Sequence, residues 1–481
     1  MTHGTPGALN SPSSANHMSR LPTARSVAWV VLQRVERHEV FADEALDRCL
    51  SQARLDRRDR ALAVELVYGV LRHRSTLDWR LAHLSERPFE RLPLPVRTAL
   101  RLGAYQLMFL QRVPVSAAVN ESVSLVKRLP AKHWTGFVNA VLRAFLREPA
   151  PDWPDPASDP PLAYAVRYGC PPWLAQRWLD RFGAKQAESL CEATTVIPPL
   201  TIRANTLKMS RERLLEEFLK AQCTARPTEI SPAGLIVEQR GPVAELPFFQ
   251  QGGFYVEDEA GQLVAPILDP RPGERVLDAC AAPGGKATHL AALMQNEGEI
   301  IALDRHPARL HLLQENCARL GISIVRAMQA DAARDLPGLP GVRSASWSSS
   351  NAAALSFDRV MLDAPCSGLG VLRRHPEGKW QKTEQVLARH ASEQSLLLDR
   401  LSHVLRPGGV LVYSTCSTEA EENEQVIGHF LHQHPEFFRE SVAPWLPPSG
   451  RTLVNAEGDF STLFARRSMD GFFAARLRKA S

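Results

Sequence analysis

The sequence predicts three regions in series: an all-α helical domain, a small α/β subdomain, and a larger α/β domain built on a mostly parallel sheet. Two observations carry this. Over residues 21–150, apolar residues recur at three- and four-residue steps, with capping or breaking residues between the segments. From Arg275 onward, short apolar runs alternate with helix-length amphipathic stretches. That is the order of repeated β-α units, which build parallel sheets whose ligands bind outside the carboxyl ends of the strands.

The expected boundaries are a tail at 1–20, the helical domain at 21–150, a linker with the small subdomain at 151–255, and the larger domain at 256–481. The tail is rich in Ser, Pro, Gly and Asn and lacks an apolar core, so it reads as disordered rather than as a signal or transit peptide, with Met18 an alternative start. The linker stretch EPAPDWPDPASDPP cannot be helical and reads as a semi-rigid spacer. In the small subdomain, LTIRANTLKMSRERLLEEFLKAQ reads as strand then helix; the segment FYVEDEAGQLVAPIL (Phe254 to Leu268) carries an amphipathic helix packing onto the sheet.

At 481 residues, 44% hydrophobic and 23% charged, the chain is globular and long enough for two to four domains. Its eight cysteines (Cys49, Cys170, Cys191, Cys223, Cys280, Cys317, Cys366, Cys416) show no CxxC pair and no zinc spacing. They read as reduced thiols of a cytoplasmic protein without a metal. No run of about 18 apolar residues exists, so no membrane span is expected. Residues 21–150 carry 21 Lys plus Arg against 13 Asp plus Glu, a net +8, whereas the whole chain is +5. Arg54, Arg57, Arg58, Arg60, Arg72, His73 and Arg74 cluster as a phosphate-contacting face would need; the alternative is a salt-bridged surface, since Asp56 and Asp59 share the run. In FVNAVLR, Val138, Val141 and Leu142 are expected in the core, with Asn139 structural.

The chemistry concentrates in the last region. RVLD (Arg275 to Asp278) is a brief apolar run, CAAPGGK follows from Cys280 to Lys286, and a helical stretch begins near Ala287. Strand, turn and helix in that order aim free N–H groups at a polar ligand, and Gly284 and Gly285 allow close approach to the main chain. The turn is neither a P-loop nor a GxGxxG dinucleotide fingerprint. The next run, EIIALD, ends on Asp304, a carboxylate suited to both hydroxyls of a ribose. ISIVRAMQAD brings Asp331 to the same edge, where it can meet an adenine; FDRVMLDAPC brings Asp363 and Cys366; and GVLVYSTCS, after a stop at Pro407, Gly408 and Gly409, brings Cys416. A nucleoside cofactor beside two cysteines on one rim suggests covalent chemistry on a pyrimidine ring. A thiolate adding to carbon 6 makes carbon 5 nucleophilic, and cysteine suits that addition because even a modest thiolate fraction is strongly nucleophilic. Asp363, two residues before Pro365, offers a carboxyl group to hydrogen-bond the base while charge builds during attack. A perpendicular attack on carbon 6 is blocked inside a stacked helix, so the target must sit in a loop or be flipped out. Arg373, Arg374, His375, Lys379 and Trp380 follow on and are candidates to hold phosphates and stack a flanking base, Trp380 alternatively being core.

CAAPGGK, ALDxxxxRL (Ala302 to Leu310), QADA, DAPCSGLG, RRHPEGKW, STCS and a late DGFF (Asp470 to Phe473) together resemble the S-adenosylmethionine-dependent RNA cytosine-5 methyltransferases. The helical domain resembles the antitermination factor NusB, which points to the branch acting on bacterial 16S ribosomal RNA. The resemblance implies a NusB-like domain, a small α/β RNA-binding subdomain, and a Rossmann-like methyltransferase domain with a mostly parallel seven-stranded sheet. It implies S-adenosyl-L-methionine held by Cys280, Ala281, Ala282, Pro283, Gly284, Gly285, Lys286, Asp304, Asp331 and Asp363. It assigns the nucleophile to Cys416 and product release to Cys366, an order the residues alone leave open. Arg203 and Asn205 match the RxN signature of the RNA-binding subdomain; for Asn205 the alternative is a turn cap. The implied partner is 16S ribosomal RNA, unassembled or in an early precursor, bound by a monomer. The chain departs from the family's usual Gln and Ser at Glu257 and Gly261, and carries a Ser/Ala-rich insertion at 343–356 that reads as a surface loop. Alternatives are a transfer RNA or 23S ribosomal RNA cytosine-5 methyltransferase, or a non-catalytic assembly or antitermination factor retaining the fold.

Overall fold

The computed structural model describes residues 22–127, 129–131, 133–238, 241–334, 356–464 and 469–481. The expected tail, and the 343–356 insertion apart from Ser356, lie outside the described residues. The chain divides into two compact units, Met1–Ala175 and Gln176–Ser481.

The first unit is helical, as its periodicity predicts: Ala24–Glu36, Ala42–Gln52, Arg57–Arg72, Arg74–His83, Leu94–Phe109, Val115–Val126, His133–Arg147 and Pro160–Tyr168. Thr23 and Asp56 cap two of these helices by accepting from backbone N–H groups. Val138, Val141 and Leu142 are core, and Asn139 accepts from Arg143. Gly69 is required by packing, since a Cβ there would lie 2.0 Å from the Tyr105 ring. The proline-rich stretch is a loop over 151–159, but it does not end the unit. The helix Pro160–Tyr168, started by Asp159, packs back on Arg74–His83, with Thr76 Oγ1 donating to Val166 O at 2.7 Å. The helical unit therefore runs past the expected boundary at 150 to Ala175.

A buried ion network links this unit's helices. Arg101, 4% exposed, donates to Glu36 at 2.6 Å and to Asp78 at 2.7 Å, and Arg74 and Arg97 also reach Glu36, at 3.2 and 3.0 Å. Burial raises the pKa of Glu36, but Arg101, Arg74 and Arg97 outweigh it and hold the carboxyl below its ordinary value. A depressed carboxylate contributes stability that is present above its unfolded pKa and lost as pH falls through the folded one. Removing one partner of a buried pair costs about 3–5 kcal/mol. Glu36→Ala should lower unfolding stability by that order at neutral pH in a urea titration, with the difference from wild type shrinking in acid.

The second unit begins with an antiparallel sheet of β1 (Leu200–Ala204), β2 (Ala225–Pro227), β3 (Gly234–Val237) and β4 (Phe254–Val256), in the order β2-β3-β1-β4. The helix Arg211–Lys220 follows β1 as expected, and Leu214 and Phe218 pack on Ile202, Leu235 and Phe254.

The larger sheet contains β5 (Arg275–Asp278), β6 (Glu299–Asp304), β7 (Val325–Gln329), β8 (Phe357–Asp363), β9 (Leu405–Thr415), β10 (Phe437–Glu440), β11 (Phe460–Ser461) and β12 (Phe473–Lys479). Its order is β10-β12-β9-β8-β5-β6-β7, with β11 paired to β12. The five runs read from the sequence are β5 to β9, all mutually parallel, while β10, β11 and β12 add antiparallel pairings. Strand side chains alternate between two cores. Val276, Ile300 and Met361 face the helices Glu259–Leu268, Gly285–Leu293 and Pro307–Leu320, whereas Leu277, Ile301 and Leu362 face Glu384–Ser402 and Glu424–Gln433. The expected stop at Pro407 to Gly409 lies inside β9, where Gly408 turns at φ +72° while the ladder with β8 changes register.

From β5 the chain builds outward through β6 and β7, then crosses back to lay β8 and β9 on the other side. Such a reversal opens a crevice at the carboxyl ends of the two central strands. That crevice lies at the tips of β5 and β8.

Candidate active site

The glycine turn leaves β5 at this crevice. Gly284 takes φ +112°, a left-handed conformation glycine adopts without strain, and starts the helix Gly285–Leu293. Asp278, at the tip of β5, is fully buried, and neither carboxylate oxygen has a hydrogen-bond partner of good geometry. Burial and then the Asp363 charge push its pKa up to about 8, against the pull of Lys286 and the Cys280 amide. Burial likewise pushes the Cys280 thiol up, with Asp278 adding to it. Asp304 ends β6, 6% exposed, and accepts from the His306 amide at 2.8 Å. Asp331 lies past the end of β7 and accepts from the Ala333 amide at 3.0 Å.

At the tip of β8, Asp363 accepts from Ser414 Oγ at 2.7 Å and lies 3.6 Å from Lys286 Nζ. Lys286 also pairs with Glu257 at 3.2 Å. Burial alone would lower its pKa, but Asp363 and Glu257 outweigh it and keep the ammonium charged. Glu257 is in turn bonded by Arg203, whose guanidinium also donates to Gly285 O at 2.8 Å and Thr288 Oγ1 at 2.9 Å.

The two motif cysteines meet. Cys366 Sγ and Cys416 Sγ are 3.4 Å apart, each partly accessible. The hydrogen bond with Cys416 and burial raise the Cys366 pKa well above an ordinary thiol. Gly370 closes the arrangement. Its N–H donates to Cys416 O at 2.9 Å, its carbonyl accepts from Gly471 N at 2.9 Å, and an added Cβ would lie 2.1 Å from Gly471 O. DAPCSGLG, STCS and DGFF are therefore one contact set. From the far side, Arg177 bonds Glu419 and Glu421, Arg181 bonds Thr418 O, and Trp178 Nε1 donates to Glu419 at 3.3 Å, holding the segment after Cys416.

Several expectations are corrected. Arg373 and Lys379 are buried, so neither presents its charge at a surface: Arg373 bonds Asp470 at 3.0 Å and Lys379 bonds Thr194 at 3.3 Å. Arg374 joins Asp470 at 2.5 Å and Asp258 at 2.7 Å. Trp380 is half-buried, and His375 is exposed. Arg203 and Asn205 are also scaffold. Asn205 donates to Gly252 O at 2.9 Å and Leu320 O at 2.8 Å. In the helical unit, Arg54, Arg57 and Arg58 are exposed, while Arg72 is buried and Arg74 is drawn into the Glu36 network.

Sequence reasoning missed Asp278, Glu257 and Glu422. Asp278 had a signal in its position at the strand tip, as did Asp304. Glu422 stands in an acidic run, EAEENE, and nothing local distinguishes it from its neighbours.

A reversing mixed sheet, a glycine turn at the reversal and acidic residues at successive strand tips define a Rossmann-like methyltransferase domain. The profile of 16S rRNA methyltransferase RsmB/F matches residues 265–478, that of the NusB family residues 22–147, and that of the Methyltr_RsmF/B-like, ferredoxin-like domain residues 170–244. The chain is 36% identical to a probable ribosomal RNA small subunit methyltransferase B of Synechocystis over 95% of its own length and 100% of that protein's. It is 35% identical to the ribosomal RNA small subunit methyltransferase B of Pseudomonas putida, over 96% and 98%. Among solved structures, PH0851 superposes with TM-score 0.77 at 25% identity, covering 95% of this chain and 99% of that one. NSun6 from Pyrococcus horikoshii with SFG gives 0.54 at 25%, covering 65% and 98%. The chain belongs to the RsmB/F family of 16S rRNA methyltransferases.

Gly370→Ala forces a methyl group into backbone. It should destabilise the second unit by about 1–3 kcal/mol, the usual cost of overpacking, measured as a shift in the denaturant midpoint.

Proposed function

We propose that the chain methylates carbon 5 of a cytosine in 16S ribosomal RNA, with S-adenosyl-L-methionine as donor, through a transient bond from Cys416 to carbon 6. The observation that carries this is the pair of thiols 3.4 Å apart beside Asp363, at the tips of adjacent parallel strands. A single buried cysteine is ordinarily a small hydrophobe. Two thiols in contact at the cofactor crevice stand where a nucleophile and a partner for its release are needed.

The residues fit the cofactor. The open amides of the Gly284 turn, the carboxylate of Asp304 and the unsatisfied oxygens of Asp278 supply the donors and acceptors a nucleoside with a cationic amino-acid tail requires. The relative solved with SFG, an analogue of S-adenosylmethionine, supports the same reading. Ala281, Ala282 and Pro283 shape the turn, Gly285 opens the helix, and Asp331 lies at the next strand end. When bound, the cofactor supplies an electrophilic methyl group.

The chain's own groups do the rest. Asp363, fixed on one oxygen by Ser414 and facing Lys286 with the other, accepts from the exocyclic amine of the base. Cys416 attacks carbon 6 as a thiolate, the form in which sulfur is nucleophilic. Contact with Cys416 and burial raise the Cys366 pKa, which makes its ionised sulfur the stronger base: that thiolate takes the carbon 5 proton, the electron pair re-forms the ring double bond, and the carbon 6 bond breaks to release Cys416 as a thiolate. Exposed Arg54, Arg57 and Arg58 of the NusB-like unit meet RNA phosphates.

Tritiated methyl transfer to naked 16S RNA, small subunits, 23S RNA and transfer RNA in parallel tests the assignment; transfer to one of the last two alone overturns it. Cys416→Ala should abolish both methylation and any covalent RNA species. Cys366→Ala should accumulate an adduct stable to denaturing electrophoresis, and the double variant should not. An adduct formed by Cys416→Ala but not by Cys366→Ala reverses the two roles.

Asp304→Ala should weaken S-adenosylmethionine by about 1–3 kcal/mol, the order for lost charge-assisted hydrogen bonds. Calorimetry on the folded variant reads it, and an unchanged dissociation constant removes the ribose contact.

Replacing Arg54, Arg57 and Arg58 together by Ala should flatten the log–log salt dependence of RNA binding by up to about 2–3 in slope, near one for each phosphate no longer neutralised. Filter binding across a salt series measures it. An unaltered slope places the RNA elsewhere.

A further inference from the structure

We propose that Glu422 is the positioning residue that sets the two thiols against each other, by tying the residue after each cysteine to one buried carboxylate. Cys366 and Cys416 lie on separate loops, one leaving β8 and one leaving β9, and sheet pairing alone does not fix loops beyond the strand ends. Glu422 is fully buried. Its Oε1 accepts from the Ser367 amide at 2.7 Å, and its Oε2 accepts from Ser367 Oγ at 2.5 Å and from Ser417 Oγ at 2.5 Å. Gln394 Nε2 donates to Pro365 O at 2.9 Å and reaches Glu422 Oε1 at 3.4 Å, so Cys366 is braced on both sides.

Glu422 is itself fixed. Tyr413 on β9 donates to its carbonyl at 2.5 Å, and the adjacent Asn423 donates to Ser417 O at 3.0 Å and accepts from Thr415 Oγ1 at 2.5 Å. The partners of the carboxylate are neutral donors, whereas Glu419 and Glu421 nearby are bonded by Arg177. A buried carboxylate held only by neutral groups is costly, and burial raises the Glu422 pKa against the pull of the two serines. What the arrangement obtains is geometry. One rigid acceptor receives three bonds from the two cysteine loops, and an amide could not, because it offers one acceptor oxygen in place of two.

The catalytic consequence rests on the covalent reading above: with the clamp loosened, Cys416 still adds to the base, but Cys366 no longer meets the carbon 5 proton, and release slows. The test follows methyl transfer and adduct together in full-length protein, using 16S RNA and S-adenosylmethionine, for wild type, Cys366→Ala, Glu422→Gln and the milder Ser417→Ala. Expected is an adduct-to-product ratio raised about tenfold in Glu422→Gln and less in Ser417→Ala, for a barrier change of about 1.4 kcal/mol. Calorimetry should give wild-type affinity for S-adenosylmethionine in both. The combination Glu422→Gln with Cys366→Ala should behave as Cys366→Ala alone. A general loss of structure would depress adduct and product in parallel and leave the ratio unchanged, and that result overturns the proposal. Adduct in Cys366→Ala with a wild-type ratio in both other variants sinks the clamp alone. Absence of adduct in Cys366→Ala sinks the covalent reading and the role built on it.

Discussion

The site depends on the parallel pairing of β8 with β9, in which Asp363 lies opposite Ser414. That register starts the two loops at the same height, so the cysteine three residues beyond Asp363 and the one two residues beyond Ser414 can touch. Because strand side chains alternate, a slip of one residue would turn Ser414 away from Asp363 and exchange the two cores. On the other side of β9, Phe473 lies opposite Thr415, which brings Gly471 onto Gly370. Three segments remote in sequence become one site through two registers.

A second constraint is electrostatic. Arg203, Glu257, Lys286 and Asp363 alternate in sign from the small sheet to the tip of β8. Each charge would be unfavourable to bury alone, and the chain works only as a whole. Without Glu257, two buried cations would face each other across the cofactor turn. The subdomain carrying Arg203 and Glu257 is thereby coupled to the position of Lys286, and through it to Asp363. Gly261 belongs to this arrangement, since a Cβ there would press on Glu257 Cγ at 3.3 Å and stand 3.5 Å from Lys286 Nζ. The two departures from the family's usual residues are neighbours in space.

Much of the architecture was legible because it is written in local periodicity. The helices of the first unit, the strands β5 to β9, and the helix ending at Gly321, which takes φ +77°, all follow from patterns a few residues long. The rim was legible because a parallel sheet puts strand ends on one edge, so Asp304, Asp363, Cys366 and Cys416 were placed without coordinates. The short strands β10 and β11 carry too little pattern, and β12 borrows its strand state from pairing with β9. The compact unit extends to Ala175, past the NusB-family match at 22–147, because a proline-rich segment signals the end of helix and not the end of packing. Glu422 was invisible, and Glu257 stood out only as a departure from the family's usual residue, for another reason: their roles are defined by partners 55 and 54 residues away.

Basic residues show the same limit most clearly. Arg373 and Arg374 read as a phosphate grip until their acids, Asp470 and Asp258, prove to lie 97 and 116 residues off. Arg72 and Arg74 are likewise taken up within the helical unit. Yet internal pairing removes one charge of each sign, so it cannot change the net +8 of residues 21–150. Each buried pair strips a negative group from the surface as surely as a positive one. The long-range field of the unit therefore stays positive whichever arginines are buried, and the burial decides only which side chains stand in solvent to deliver it, Arg54, Arg57 and Arg58 among them.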